Sequence, residues 1–542
     1  MKKMNIYWVV VDCVRNYRTG KDDRDKLDIM YELEKDYVSF QKMIVSAPSS
    51  VMSISTSLSS IPSYYIAGNY IDFRFDNNLF WSLSKILENK GYNNHAILNA
   101  RASREKLVDL VTLVDRKFWD PHLKHSTVCW KNSEVTSVFN NLFKSKPEEP
   151  NFYLLWYNAR RDPNISNEVS NLHKKLKTEG HLENSIFILT SDHGYPDPKR
   201  GLISDGVDLK QVGLPHDIIL TDDNINVPFI ISYPGSPKAK INCQTSCEDI
   251  MPTILDILGI DKPKPKSVDF FGKSLIPLIN GQDDDFWKTR IIRSDARFSM
   301  QAERITSLRK HDFKYIIQHE NKHEELYNFD SDPYEEVNLA NLKEYENQLI
   351  SFRKIFSAME SKSIIFLKNK LINKLKTKSN LSDIISEDCY VINFGESYFY
   401  EIVLEALYEI YPKINMIFIG SGYEQFNSKL KKKKFKVINF KNIYTTTFIK
   451  FPVRIEILDD PLSKVFTSHF SNCQKIKSNQ SYRINPAPEI SNVSNSFFNS
   501  PKVAHYKRVL NRLIMKKDVY LTEPTYLYIE LKRLFRILLS KK

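Results

Sequence analysis

The chain has 542 residues and a formal net charge of +13, with 42% hydrophobic and 26% charged residues. At about 150 residues per domain that length suits two to four domains, and the composition excludes a mostly disordered chain, a collagen-like chain and a long coiled coil. No apolar run reaches the ~20 residues that a membrane-spanning helix needs, and the basic excess, densest at 429–436, comes without a nucleic-acid-binding signature.

Residues 4–11 (MNIYWVVV) form a short apolar run bounded by charge, which predicts a first strand buried on both faces. The run is too short for a secretion signal and leads into Asp12 and Arg15 with no small-residue cleavage site, so the expected compartment is the cytoplasm. Asp12 ends the strand, and a carboxylate there is a hard oxygen ligand for a divalent cation. Residues 46–58 (SAPSSVMSISTSL) place a hydroxyl cluster at the entry to a helix. Free N–H groups and the dipole at a helix start stabilise an alkoxide or a bound anion; helix capping alone also accounts for such a cluster. Helical patterns at 79–90 and 168–180 alternate with apolar runs at 152–157 (FYLLWY), 185–190 (SIFILT) and 227–232 (VPFIIS). That alternation predicts an α/β fold with a largely parallel sheet, whose C-terminal edge gathers catalytic groups. The run at 152–157 leads to Asn158, Arg160 and Arg161. The run at 185–190 leads to Ser191-Asp192-His193-Gly194, where adjacent Asp and His supply two metal ligands. His216, in Leu214-Pro215-His216-Asp217, suits donation to an anionic substrate or protonation of a leaving group. The six cysteines (Cys13, Cys129, Cys243, Cys247, Cys389 and Cys473) are scattered, unlike a disulfide framework. Cys243 and Cys247 lack a second Cys/His pair, so no zinc site is expected there.

Residues 341–378 predict a long polar helix that turns basic from Lys368, a connector between domains. A second α/β pattern follows, with strands at 389–394, 415–419, 437–440 and 453–458 and a helix at 398–411. It is Rossmann-like but lacks G-x-G-x-x-G, so no nucleotide site is assigned. The Ser-, Asn- and Pro-rich stretch 473–502 predicts loop, and 503–542 two basic helices. The expected organisation is a catalytic domain over 1–340, a helical connector over 341–381 and a smaller C-terminal α/β domain over 382–542.

Seven segments, in order, carry a resemblance: the strand ending in Asp12, the hydroxyl segment, Ser191–Gly194, and His216 before Ile225-Asn226-Val227-Pro228. Then come 248–256 (EDIMPTILD), 271–278 (FGKSLIPL), and Lys314-Tyr315 with Glu325-Leu326-Tyr327-Asn328, Asp332-Pro333 and Asn338-Leu339. Together they resemble the sulfatase branch of the alkaline phosphatase superfamily across residues 1–340. The resemblance implies that family's domain, a largely parallel central sheet sandwiched by helices. It implies one divalent ion (Ca²⁺, Mg²⁺ or Mn²⁺) held by Asp12, Ser50, Asp192 and His193. Ser50 matches the nucleophile, with Ser49 the one-residue-slip alternative. His216 matches the histidine that contacts the transferred group, and Arg15 an Arg on the substrate side. The implied substrate is an anionic ester, sulfuric or phosphoric, linked to a glycan. Transfer of a phosphoryl or phosphoglycerol-type group to a surface polysaccharide, and a degenerate glycan-binding role without catalysis, stand as alternatives. The chain departs from the family pattern at Met52 and Ile54, where a Pro and an Arg direct conversion to formylglycine, so that modification is not expected. Cys13, or Tyr17 in another register, stands where many members carry a second Asp. Asp162-Pro163-Asn164 replaces Asp-Pro-His.

Overall fold

The computed structural model describes residues 3–16, 27–66, 80–99, 125–129, 131–143, 150–159, 164–196, 202–203, 207–208, 219–282, 285–296, 305–319 and 322–376, together with 389–392, 409–410, 416–420, 435–439, 449–457 and 476–484. The chain divides into two compact units, with the boundary between Met359 and Glu360.

The strands of the first unit are β1 (Asn5–Asp12), β2 (Val38–Ile44), β3 (Asn93–Asn99), β4 (His125–Cys129), β5 (Asn151–Asn158), β6 (Ser185–Thr190), the short hairpin β7 (Leu202–Ile203) and β8 (Val207–Asp208), β9 (Asn226–Ser232) and β10 (Ala239–Ser246). All but the hairpin form one eight-stranded sheet in the order β10-β2-β9-β6-β1-β5-β3-β4. β1 pairs in parallel with both β5 and β6, β3 with β4 and β5, and β10 with β2. β9 is the exception, antiparallel to both β2 and β6. Its apolar sequence resembles that of the parallel strands β1 and β6 because burial on both faces dictates apolarity and leaves direction unspecified.

β1 holds the centre. Tyr7, Val9 and Val11 on one of its faces join a core with Val169, Leu172 and Leu176. Those three lie on one stripe of the helix Ile165–Thr178, which buries Ile165, Val169, Leu172, His173 and Leu176 at helical spacing. Trp8 and Val10, on the opposite face, are buried as completely. The strand is therefore rigid up to its last residue, Asp12.

A second, antiparallel sheet follows in simple order: β11 (Ile291–Ala296), β12 (Ile305–Lys310), β13 (Phe313–Gln318) and β14 (Glu324–Asn328). The Lys-Tyr and Glu-Leu-Tyr-Asn segments singled out in the sequence are β13 and β14. The long helix expected at 341–378 runs over Glu346–Lys376, and its Leu349 and Phe352 cover Leu308, Tyr315 and Leu326 of this sheet. Its first turns thus complete a core. Among the described residues, no helix is long and apolar enough to cross a membrane.

Two sequence segments are explained by what they tie together. At the helix Ile250–Leu258 and its N-cap Asp249, Thr253 Oγ1 accepts from Leu275 N at 2.9 Å, Asp249 Oδ1 accepts from Lys273 N at 2.9 Å, and Ser274 donates to Asp256 at 2.5 Å. Gly272 N donates to Ser60 Oγ at 3.0 Å, which anchors the far end of the helix Ser50–Ser59.

The second unit contains a five-stranded sheet of β15 (Cys389–Ile392), β16 (Met416–Gly420), β17 (Phe435–Asn439), β18 (Ile449–Ile457) and β19 (Ile476–Ile484). Its order, β17-β16-β15-β18-β19, is parallel at every pairing, and it matches the first five strands of the Rossmann order 3-2-1-4-5-6. β19 corrects the loop expected across 473–502. Its polar run (KSNQSYR between isoleucines) suits an edge strand, where charged and polar residues are tolerated. The helix expected at 398–411, apart from 409–410, and the two at 503–542 lie outside the described residues.

Candidate active site

The parallel pairing of β1 with β6 brings their C-terminal ends to one edge, so Asp12 and the turn after Thr190 meet there. His193 is the hub. Its Nε2 lies 3.4 Å from Ser50 Oγ, 3.5 Å from Asp12 Oδ1 and 4.0 Å from Asp192 Oδ2. Its Nδ1 lies 2.8 Å from the carbonyl oxygen of Gly194. A carbonyl only accepts, so Nδ1 carries the proton of that bond, and a neutral ring then turns the Nε2 lone pair toward the two carboxylates and the hydroxyl. Electron-rich atoms converging in a buried site require positive charge among them. An imidazole nitrogen, a carboxylate and a hydroxyl are donor types that hold a divalent cation, and the Gly194 carbonyl would fix the tautomer as outer partners of metal ligands do.

The side chains around His193 are held from behind. Asp192 Oδ2 accepts from the Trp156 indole at 3.1 Å, and Oδ1 accepts from the backbone N–H of His193 at 2.9 Å. Ser191 Oγ accepts from Val14 N at 3.1 Å and donates to the His193 carbonyl at 2.7 Å, tying the two strand ends together. Cys13 follows Asp12 with φ of +62°. That left-handed geometry costs a non-glycine residue about 1–2 kcal/mol, and such strain concentrates at functional sites.

Ser50 opens the helix Ser50–Ser59, whose first-turn N–H groups lack partners within the helix. The approach to it is pinned from several sides. Ser46 Oγ accepts from Ser63 N at 2.7 Å, the Ser46 carbonyl accepts from Asp295 N at 2.9 Å, and Ser294 donates to the Val45 carbonyl at 2.6 Å. Two further hydroxyls have local roles: Ser57 and Ser59 donate back to the carbonyls of Ser53 and Ser55 at 2.9 and 2.7 Å. Ser49 is the helix N-cap residue, fully buried. Of the two hydroxyls that the sequence leaves open, Ser50 is the one beside His193.

Gly194 is required by close approach. Its N–H donates to the Asn224 carbonyl at 2.7 Å, and Tyr195 N donates to the Asp223 carbonyl at 3.2 Å. A Cβ at position 194 would stand 2.2 Å from the Asp223 carbonyl oxygen and 3.1 Å from Arg15 Cβ. Gly194→Ala must therefore displace the turn that carries His193. Turnover should fall by about 100-fold, the order expected of a 1 Å misplacement, and divalent-ion affinity should fall with it. Unaltered affinity and turnover, measured by titration and steady-state kinetics, would show that the turn yields without moving the ligand.

The structure thus brings together Asp12, Ser50, Asp192 and His193. Arg15 is buried, with its Cβ against Gly194. His216 lies outside the described residues. The Trp156 indole and the carbonyl clamp of Asp223 and Asn224 were not anticipated from sequence. Burial pushes the Cys247 thiol up to about 12, so that cysteine behind the Ser46 segment is unreactive.

Residues 164–260 match the family described as Sulfatase, and residues 216–362 the family described as N-sulphoglucosamine sulphohydrolase, C-terminal. The chain is similar to an ulvan-active sulfatase of Formosa agariphila, 26% identical over 277 residues, covering 43% of this chain and 42% of that protein. It is also similar to a Delta 4,5-hexuronate-2-O-sulfatase of Bacteroides thetaiotaomicron, 28% identical over 198 residues, covering 35% of this chain and 37% of that one. The chain therefore spans less than half the length of these curated relatives. Among solved structures, a phosphonate monoester hydrolase from Silicibacter pomeroyi superposes with a TM-score of 0.52 at 13% identity, over 66% of this chain and 96% of the other, which shows a shared fold.

Proposed function

Because the chain belongs to the sulfatase family of the alkaline phosphatase superfamily, we propose that it hydrolyses sulfuric esters carried on a glycan, with Ser50 as nucleophile and one divalent ion at Asp12, Ser50, Asp192 and His193. The observation that carries this reading is the convergence of Ser50 Oγ, Asp12 Oδ1 and Asp192 Oδ2 on His193 Nε2 within 4.0 Å. Support for a glycan ester comes from the two curated relatives, an ulvan-active sulfatase and a Delta 4,5-hexuronate-2-O-sulfatase.

When bound, a divalent ion supplies positive charge that favours the ionised hydroxyl and the charge developing on the ester oxygens. The chain's own residues do the rest. Ser50 Oγ attacks the sulfur in line, the S–O bond to the sugar breaks, and a serine sulfate ester remains until water cleaves it. The first-turn N–H groups of the helix Ser50–Ser59 face the anionic group. His216 is assigned the proton donated to the leaving sugar oxygen. Asp192 and His193 keep their positions through Trp156, Ser191 and the Gly194 carbonyl. An unmodified serine is also the nucleophile expected of phosphoester chemistry, so both ester classes belong in the test.

The test is turnover of aryl sulfate and aryl phosphate monoesters by the full chain, before and after chelation, with bound metal counted. We expect about one divalent ion per chain, turnover of the aryl sulfate, and loss on chelation reversed by adding the ion back. Turnover confined to the phosphate ester would reassign the substrate. Absence of metal and of any turnover would leave only the fold.

A further inference from the structure

Position 13 distinguishes this site. Successive side chains of an extended strand point to opposite faces, so a residue next to Asp12 would ordinarily turn away from it. The +62° φ of Cys13 breaks that alternation and returns its side chain to the same site. Cys13 Sγ lies 4.0 Å from His193 Nδ1. The ligand atoms offered by Asp12, Cys13 and His193 all lie within 4.8 Å of one another, and all three residues are buried. The structure therefore sets a sulfur donor beside Asp12 and His193, nearest the Nδ1 side of the ring, and does so through a backbone conformation that cysteine ordinarily avoids.

Hard ions such as Ca²⁺ and Mg²⁺ are held by oxygen donors. A mixed set of thiolate, imidazole and carboxylate is that of Zn²⁺ and its borderline neighbours, in which thiolate softness rather than cavity size directs the choice. We propose that Cys13 is a thiolate ligand of the divalent ion, its thiol proton passing to solvent on binding, and that the centre prefers Zn²⁺-class ions over Ca²⁺ and Mg²⁺. The proposal rests on the metal centre described above, and replaces the all-hard-ion expectation that the family resemblance carries.

The probe is Co²⁺, which reports its ligands by absorption. With the full chain we expect one Co²⁺ per molecule and an intense near-ultraviolet thiolate-to-cobalt charge-transfer band. Cys13→Ser should abolish the band. Cys13→Asp should retain Co²⁺ without the band, weaken Zn²⁺ binding by about tenfold or more, and strengthen Ca²⁺ or Mg²⁺ binding by a similar factor. Independently, Zn²⁺ should protect Cys13 from iodoacetamide, read by peptide mass mapping of the unaltered protein, so the proposal is decided even if the variants fail to fold. Stoichiometric Co²⁺ with no charge-transfer band, and Cys13 labelled equally with and without Zn²⁺, would overturn the thiolate ligand while leaving the metal centre standing. No binding of any divalent ion would overturn both.

Discussion

Replacing Ser50 with Ala should lower turnover of the aryl sulfate by about 10⁴-fold or more, the order lost when a covalent nucleophile is deleted. Thermal unfolding should be nearly unaffected. The lost group is one partly buried hydroxyl at a helix start, its Oγ 3.4 Å from His193 Nε2, and no other hydroxyl of the segment approaches that atom as closely among the described contacts. The adjacent Ser49→Ala variant is the control. Ser49 caps the helix from a fully buried position without a side-chain capping bond, so its replacement should leave turnover within about tenfold of the parent, the range of a small local adjustment. Equal collapse of both variants would mean that the segment, rather than one oxygen, is required. Loss confined to Ser49→Ala would move the nucleophile by one residue.

The largest effect on stability is expected at Lys314. It sits with Asp222, Arg309 and Glu335 in a buried group whose formal charges cancel. Lys314 Nζ pairs with Asp222 at 3.0 Å and with Glu335 at 2.6 Å, Arg309 pairs with Asp222 on its other oxygen, and Glu335 accepts from Asp222 N at 2.7 Å. Burial pushes the Asp222 carboxyl up, but Arg309 and Lys314 outweigh it and hold it well below the usual carboxylate range. That stabilisation is therefore present above the ordinary carboxylate pKa and is lost as pH falls below it. Lys314→Met leaves two buried carboxylates facing one guanidinium and should cost about 3–5 kcal/mol. The double variant Lys314→Met with Glu335→Gln restores charge balance, and should be more stable than Lys314→Met by about 1–3 kcal/mol. Denaturant unfolding followed by tryptophan fluorescence measures both. If the second change instead added to the first, the four side chains would be acting separately. The group also reaches the site, because Asp222 begins the turn whose next two carbonyls clamp Tyr195 and Gly194.

Legibility from sequence tracked burial. β1 and β6 were readable because each is an unbroken apolar run that stops at polar residues, and those residues are the ones that meet at His193. β2, which leads to Ser50, was not readable, because Ser39, Gln41 and Lys42 interrupt its apolar pattern. The structure satisfies two of them from the end of the helix Asp28–Leu33: Gln41 donates to Glu34 at 2.7 Å and Ser39 does so at 3.2 Å, while Lys240 of β10 pairs with the other Glu34 oxygen at 3.0 Å. The alternation of Val38-Ser39-Phe40-Gln41 stops at Lys42, where the register shifts against both neighbouring strands, so too few residues alternate to mark a strand. The Asp223 and Asn224 clamp was invisible for a different reason, since it acts through backbone carbonyls that any residue possesses. Trp156 read as core, and it is core, but its indole N–H also donates to Asp192 Oδ2.

The antiparallel strand β9 has a temporal implication. It lies between β2 and β6, so the strand feeding Ser50 has no lateral neighbour on that side until residues 226–232 have been synthesised. On the ribosome, Asp12, Asp192 and His193 are able to assemble on β1 and β6 first, and the hydroxyl arrives only with this late wedge. A nascent chain stalled before Asn226 is therefore expected to hold Asp12, Asp192 and His193 without Ser50 seated beside them.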